Sequence, residues 1–161
     1  MPFMSANAGE FALSLNSWIG ATNDALNQAS RDAVKETFTK IIDRNPLDTT
    51  DPDEIVSKDC WVTGLDSEAQ DTTRQSPSGS NAKQELEGKL NSWLPATGQV
   101  LYFSNYKVQS YLLEYGLYRP SKTSGRTPPD GFSTQAPGGY VAISLEEFDD
   151  NLAKAASRHK I

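Results

Sequence analysis

Few residues in this chain have the type and spacing for chemistry. The single cysteine, Cys60, stands beside Trp61 with Lys58 and Asp59 as its nearest charges. A nucleophilic thiol needs a base and an electropositive setting, and the single histidine, His159, lies near the far end between Arg158 and Lys160. Cys60 is therefore expected to be a buried structural residue and His159 a solvated terminal one. Asp48, Asp51, Asp53 and Glu54 carry the charge to attract a hard cation. Their stretch lacks the central glycine and closing glutamate of an EF-hand loop, so it reads as a solvated acidic turn. Glu114 has no second carboxylate nearby in sequence for paired acid–base work. Near the end of a helix it does not complement the dipole, so a local partner is expected, either a backbone NH or a basic side chain. No phosphate-cradling glycine loop and no Gly-x-Ser-x-Gly elbow occurs, and Gly138-Gly139 reads as a plain turn. These residues predict no catalytic site, no cofactor and no metal, and hence not an enzyme.

The chain of 161 residues is the size of one domain and can bury its own core. One cysteine excludes a disulfide framework. Apolar runs are only a few residues long, which predicts no membrane span. No Lys or Arg precedes the first apolar residues, which argues against a secretory leader. Net charge is −6, and it is local. From Asp43 to Asp71 there are nine acidic and two basic residues, a net of −7, so the remainder sums to +1. Arg119, Lys122 and Arg126 form a small basic stretch opposed only by Asp130. The two segments are either solvated loops or complementary surfaces on neighbouring copies. The acidity argues against a dedicated nucleic-acid binder.

Periodicity supplies the elements. Leu15, Trp18, Ile19, Thr22, Leu26, Ala29, Ala33, Phe38, Ile41 and Ile42 recur at spacings of three and four, which predicts a helix from about Glu10 to Asp43. Asn45-Pro46 ends it. Such a helix is about 50 Å long, more than one side of this domain can cover, so part of it should protrude or pack on another chain. Lys58 to Gly64 reads as a strand and Asp66 to Ala82 as a mobile polar loop. Lys83 to Trp93 reads as a short helix or a returning extended segment, and Gln99 to Ser104 as a buried strand. A short helix is expected from Lys107 to Tyr115, with Val108, Tyr111, Leu112 and Tyr115 on one face and Gly116 as its stop. A long loop follows to Gly139. Tyr140 to Ile143 is a candidate third strand. Ser144, with Glu147 three residues on, predicts a capping box for a last helix whose stripe is Leu145, Phe148, Leu152 and Ala155 or Ala156. Trp18, Trp61 and Trp93 are expected in the core.

At Leu101 to Gly116 the chain resembles the tail-completion (head–tail joining) proteins of tailed bacteriophages. The residues are Tyr102-Phe103-Ser104-Asn105, then Ser110, then Leu113-Glu114-Tyr115-Gly116. Downstream, Gln135-Ala136-Pro137-Gly138-Gly139-Tyr140-Val141 is similar to the family's Ala-Pro-x-Gly segment. Upstream, Asn45-Pro46-Leu47-Asp48-Thr49 resembles its turn after the first helix, and Trp61 its strand tryptophan. Thr50 stands where the family turn has Gly, and Val108-Gln109-Ser110 where Pro-Tyr-Ala is common. The match runs from about Phe11 to Leu152. Segments Asp51 to Lys58, Leu65 to Trp93 and Leu117 to Thr134 are long for the family.

The resemblance implies a ring-forming structural protein of the phage neck, often a hexamer. It would join the head connector, stopper or adaptor to the tail tube or tail terminator, with double-stranded DNA sliding through its lumen. Such a protein is made in the bacterial cytoplasm and resides in the virion. It has no catalytic residues, and acidic groups suit a channel that DNA must not stick to. The alternatives are a tail terminator capping the tube and a stand-alone binding module. The expected fold is α+β. A long N-terminal helix and a C-terminal helix pack on a small, mainly antiparallel sheet, with long loops over 66–82 and 117–139. Residues 1–9 are a flexible start, 10–157 one domain and 158–161 a tail. Residues expected to make the fold or its contacts are Trp18, Pro46, Asp48, Trp61, Asn105, Glu114, Tyr115, Gly116, Arg119, Lys122, Arg126, Pro137 and Gly138. Asn105 is expected to end its strand by bonding its own backbone, and Glu114 to tie its corner to the loop behind it.

Overall fold

The computed structural model describes residues 8–46, 57–117 and 131–160. The chain opens with one helix, α1 (Ala8–Arg44), of 37 residues. No proline interrupts it, and Asn45 closes it by donating its N–H to the Ile41 carbonyl at 3.1 Å. A 3-10 turn (Ser57–Asp59) leads to β1 (Val62–Leu65), then α2 (Ser80–Ser92). A second 3-10 turn (Pro95–Thr97) leads to β2 (Leu101–Ser104) and α3 (Val108–Tyr115). The last elements are α4 (Val141–Glu146) and α5 (Phe148–His159). β1 and β2 pair antiparallel, with Val62 opposite Ser104 and Leu65 opposite Leu101. The fold is α+β, with the long first helix and the C-terminal helix packed around this two-stranded sheet.

Aromatic residues knit the sheet to α1. Phe103 stacks on Phe38 at 4.2 Å and on Trp61 at 4.5 Å, and Tyr140 meets Trp61 edge-on at 6.4 Å. Ile41, Ile42, Ala82 and Leu113 complete that core. A neighbouring cluster joins Val34 to Leu86, Leu90 and Trp93. Farther up α1, Ala29 and Ala33 meet Ala155. These small residues let α5 lie close along α1, in the opposite direction. Glu147 pairs with Lys40 and Arg44, Asn151 Nδ2 donates to Thr37 Oγ1 at 2.9 Å, and His159 lies 3.0 Å from Asp32.

Several expectations change. Trp18 is 65% exposed, because the first half of α1 rises beyond α5 and the sheet, so the core tryptophans are Trp61 and Trp93. Tyr140 to Ile143 is not a strand: Val141 already begins α4. Ser144 consequently lies inside a helix and caps nothing; its Oγ donates to the Tyr140 carbonyl at 2.7 Å and accepts from Arg44. Glu147 precedes α5, but its carboxylate goes to Lys40 and Arg44 rather than to an N-terminal amide. Leu145 is half exposed and lies off the apolar stripe of Phe148, Leu152 and Ala155. On α3 Leu113 and Ser110 are buried, while Val108, Tyr111 and Tyr115, three of the four residues expected on one face, point to solvent and Leu112 is half-buried. His159 is not a solvated tail residue but the last residue of α5, paired to Asp32. β1 starts later than Lys58, because Asp59 turns to cap α2.

The polar stretch after β1 is tied down rather than loose. Asp66 accepts the Val100 N–H at 3.0 Å, Asp59 accepts the Ser76 N–H at 3.0 Å, and Arg74 pairs with Glu85. Its last residues, Ser80 to Ala82, already belong to α2. Each described acidic residue between Asp43 and Asp71 has a partner in the molecule. Asp43 binds Lys83 and Asp71 binds Lys107, while Glu68 accepts from the Tyr106 hydroxyl. Asp59 is fully buried and accepts the N–H groups of Asn81 and Ala82, supplying the cap that Gly79 cannot. Local acidity here builds the fold. The expected flexible start falls mostly on residues 1–7, outside the described residues.

Candidate functional site

The residues that looked separate along the sequence converge at the end of α3. Glu114 sits in the last turn of α3, where its charge is unfavourable to its own helix. It turns this to use at the next helix. Its Oε2 accepts the N–H of Tyr140 at 2.8 Å and of Val141 at 2.7 Å, and its Oε1 accepts that of Ala142 at 2.9 Å. These amides open α4, whose own N-cap residue offers no side-chain bond. One carboxylate thus satisfies three groups that every helix start leaves orphaned, with charge-assisted bonds.

Two glycines make the approach possible. A Cβ on Gly139, at φ +86°, would lie 2.8 Å from the Glu114 carbonyl oxygen and 3.0 Å from Oε2. Gly116, at φ +63°, takes the left-handed conformation that stops α3, and a Cβ there would strike the Phe132 ring at 2.7 Å. Pro137 and Gly138 form the exposed outer part of the turn, and Ala136 beneath them is buried. Trp61 backs the corner through its contact with Tyr140.

A buried polar cluster holds the other end of α3. Asn45 Nδ2 donates to Ser57 Oγ at 3.1 Å, and Ser57 Oγ lies 3.0 Å from Ser110 Oγ. Asn105 Oδ1 accepts the Lys107 N–H at 3.0 Å, and its Nδ2 donates to the Ser57 carbonyl at 2.8 Å. Asn105 thereby ends β2 and positions the start of α3. The cluster ties the end of α1, where Pro46 is half-buried, to both the 3-10 turn and α3.

With both ends held, α3 presents Val108, Tyr111 and Tyr115 outward, each more than half exposed. The two tyrosine rings touch, with centroids 4.8 Å apart. The result is an exposed aromatic face on a helix held at both ends. Elsewhere, a shallow hollow of about 510 Å³ is bounded by Arg74, Asn81, Gln84 and Glu85, where the Arg74–Glu85 pair already consumes the charge. Among the described residues no group of three or more His, Cys, Asp and Glu could hold a metal ion. Nor, among them, is any helix long and apolar enough to cross a membrane. Cys60 is buried, with its thiol 3.6 Å from the Arg74 carbonyl.

The corner therefore brings together Trp61, Glu114, Tyr115, Gly116, Pro137 and Gly138, with Asn105 and Pro46 at the opposite end of α3. Trp18 stands apart on the first half of α1. Asp48, Arg119, Lys122 and Arg126, and the acidic turn of Asp51, Asp53 and Glu54, lie outside the described residues. Asn45 and Gly139 were expected only as a helix stop and a plain turn, and Ser57 and Phe132 carried no expectation. Gly139 was legible as the second glycine of its pair. The partners of Ser57 and Phe132 are distant in sequence and left no local signal. No protein-family model, no curated protein and no solved structure matches the chain.

Proposed function

We propose that this chain is a structural protein of the neck of a tailed phage, of the tail-completion or head–tail joining kind. In this reading copies form a ring, often of six, between the head connector, adaptor or stopper and the tail tube or its terminator. DNA passes through the lumen without sequence-specific contacts. The protein acts by fitting between partners, with no catalytic residue, and it resides in the virion.

The observation that carries the reading is the corner at Glu114. Glu114, in the segment Leu113-Glu114-Tyr115-Gly116, accepts the N–H groups of Tyr140, Val141 and Ala142, the residues that directly follow Ala136-Pro137-Gly138-Gly139. These bonds hold an outward aromatic face at a set angle. That is the property a joining protein needs: a surface that keeps its shape while a ring closes around it.

The test is electron microscopy of a lysate from phage lacking this gene. DNA-filled heads beside separate tails of normal length support joining. Overlong tails would instead make the protein a terminator, and intact infectious particles would remove it from the neck.

A further inference from the structure

The first half of α1 carries an apolar seam that nothing in the described molecule covers. Every residue from Gly9 to Asp24 is exposed. Phe11 is 68% exposed, Trp18 65%, and Leu15, Ile19 and Leu26 more than 40% each. Ala12, Leu15, Ile19, Thr22, Leu26, Ala29 and Ala33 alternate by three and four, the repeat of a helix that packs along another helix. Thr22 fits this seam, because its hydroxyl donates to the Trp18 carbonyl of its own helix at 2.9 Å and leaves its methyl to pack. Phe11, Trp18 and Ala25 widen the stripe on one side.

The lower end of the seam already shows what it takes. Ala29 and Ala33 are covered by α5 through Ala155. α5 ends at His159, beside Asp32. From Leu26 upward the same seam continues without a helix on it. Its uncovered large side chains present on the order of 600 Å², and flanking polar atoms bring this near the roughly 800 Å² per partner of a stable contact.

Charge narrows the occupant. No Lys or Arg occurs before Arg31, and the only charges on this half-helix are Glu10 and Asp24. A lipid-surface helix carries basic residues on its polar face, and a nucleic-acid contact needs them for phosphate. A second helix of the same kind needs no basic residues and meets neither objection.

We propose that a second copy of this chain covers the seam, its own half-helix running antiparallel across a two-fold axis. In that register Leu15 of one copy lies opposite Ile19 of the other, and Ala12 opposite Thr22. The start of each α1 then reaches Leu26 of the other, just short of the place α5 occupies. A parallel pair would instead drive the two α5 helices into each other. Two-fold contacts are closed, so the pair is a state of the free protein. It goes beyond the neck reading and does not depend on it.

The experiment is sedimentation of the full chain over a wide concentration range, with Ile19→Asp and Leu15→Asn alongside. The wild type is expected to be a concentration-dependent dimer. Either variant should raise its dissociation constant by about tenfold or more, with helical circular dichroism and thermal midpoint of the monomer unchanged, since both side chains are exposed in it. Oxidation should link the double variant Leu15→Cys/Ile19→Cys into dimers and leave Leu15→Cys alone unlinked. A wild type that is monomeric throughout overturns the proposal. So do a dimer that both variants leave intact, linkage through Leu15→Cys alone, and a larger closed assembly. A monomer that floats with phosphatidylcholine vesicles would assign the seam to lipid and also overturn it. None of these results bears on the phage-lysate test, so the two readings fail separately.

Discussion

The two halves of α1 obey the same periodicity and meet opposite fates. From Asn27 to Arg44 the stripe is covered on three sides, by α2, the sheet and α5, and Ala29, Ala33, Ile41 and Ile42 are buried. From Phe11 to Leu26 the stripe is equally apolar and lies open. The lower half is also where the charges are: Asp32, Lys40 and Arg44 reach α5, and Lys35 reaches α2. The upper half has almost none. A repeat of three and four therefore says that a helix has a partner face, and says nothing about which chain provides the partner.

The contrast can be tested by substitution, beginning with the deepest contact. Ile42→Ala removes a fully buried side chain in the lower half and should cost about 2–5 kcal/mol in urea unfolding. Glu114→Ala leaves the first amides of α4 without acceptors and loosens the cover that α4 and α5 provide. It should cost about 1–3 kcal/mol, with faster amide exchange at Tyr140, Val141 and Ala142. Gly139→Ala should reproduce that exchange change, because its new methyl meets the same carboxylate.

Electrostatics sharpens the lower half further. Glu147 is held down to about 2 by the hydrogen bonds from Lys40 and then Arg44. A carboxyl depressed in the folded state adds stability above its ordinary value of 4.5 and loses it as pH falls toward the folded value. Wild type should therefore exceed Glu147→Gln in urea midpoint at neutral pH, and the gap should close between about pH 4.5 and 2. A gap that persists at the acid end would mean that packing, not charge, holds α5 there. The smallest effect belongs to the upper half. Trp18→Asp should change monomer stability by no more than about 0.5 kcal/mol, although its residue type alone pointed to the core.

Local pattern was enough for the first helix, for the existence of a C-terminal helix though not its cap or start, for a strand at Leu101–Ser104 though not its half-buried state, for the stop at Gly116 and for the need of Glu114 for a partner. Each follows from neighbours within a turn or two: spacing of apolar residues, a proline after Asn45, a glycine that takes a left-handed φ without strain. The sequence also placed the aromatic strand and the Ala-Pro-Gly-Gly turn without showing that they belong to one corner. Tertiary structure decided the rest. Tyr140 to Ile143 has the composition of a strand, yet a carboxylate that is remote along the chain captures its amides and starts a helix. Asp59 looks like part of an acidic surface, yet burial beside Asn81 and Ala82 makes it a cap. Val108, Tyr111 and Tyr115 share a helical face as expected, but hydrophobicity alone does not choose between the inside and the outside when Leu113 and Ser110 compete for the interior. In each case the deciding partner is distant along the chain, and only folding brings it within hydrogen-bonding or van der Waals range.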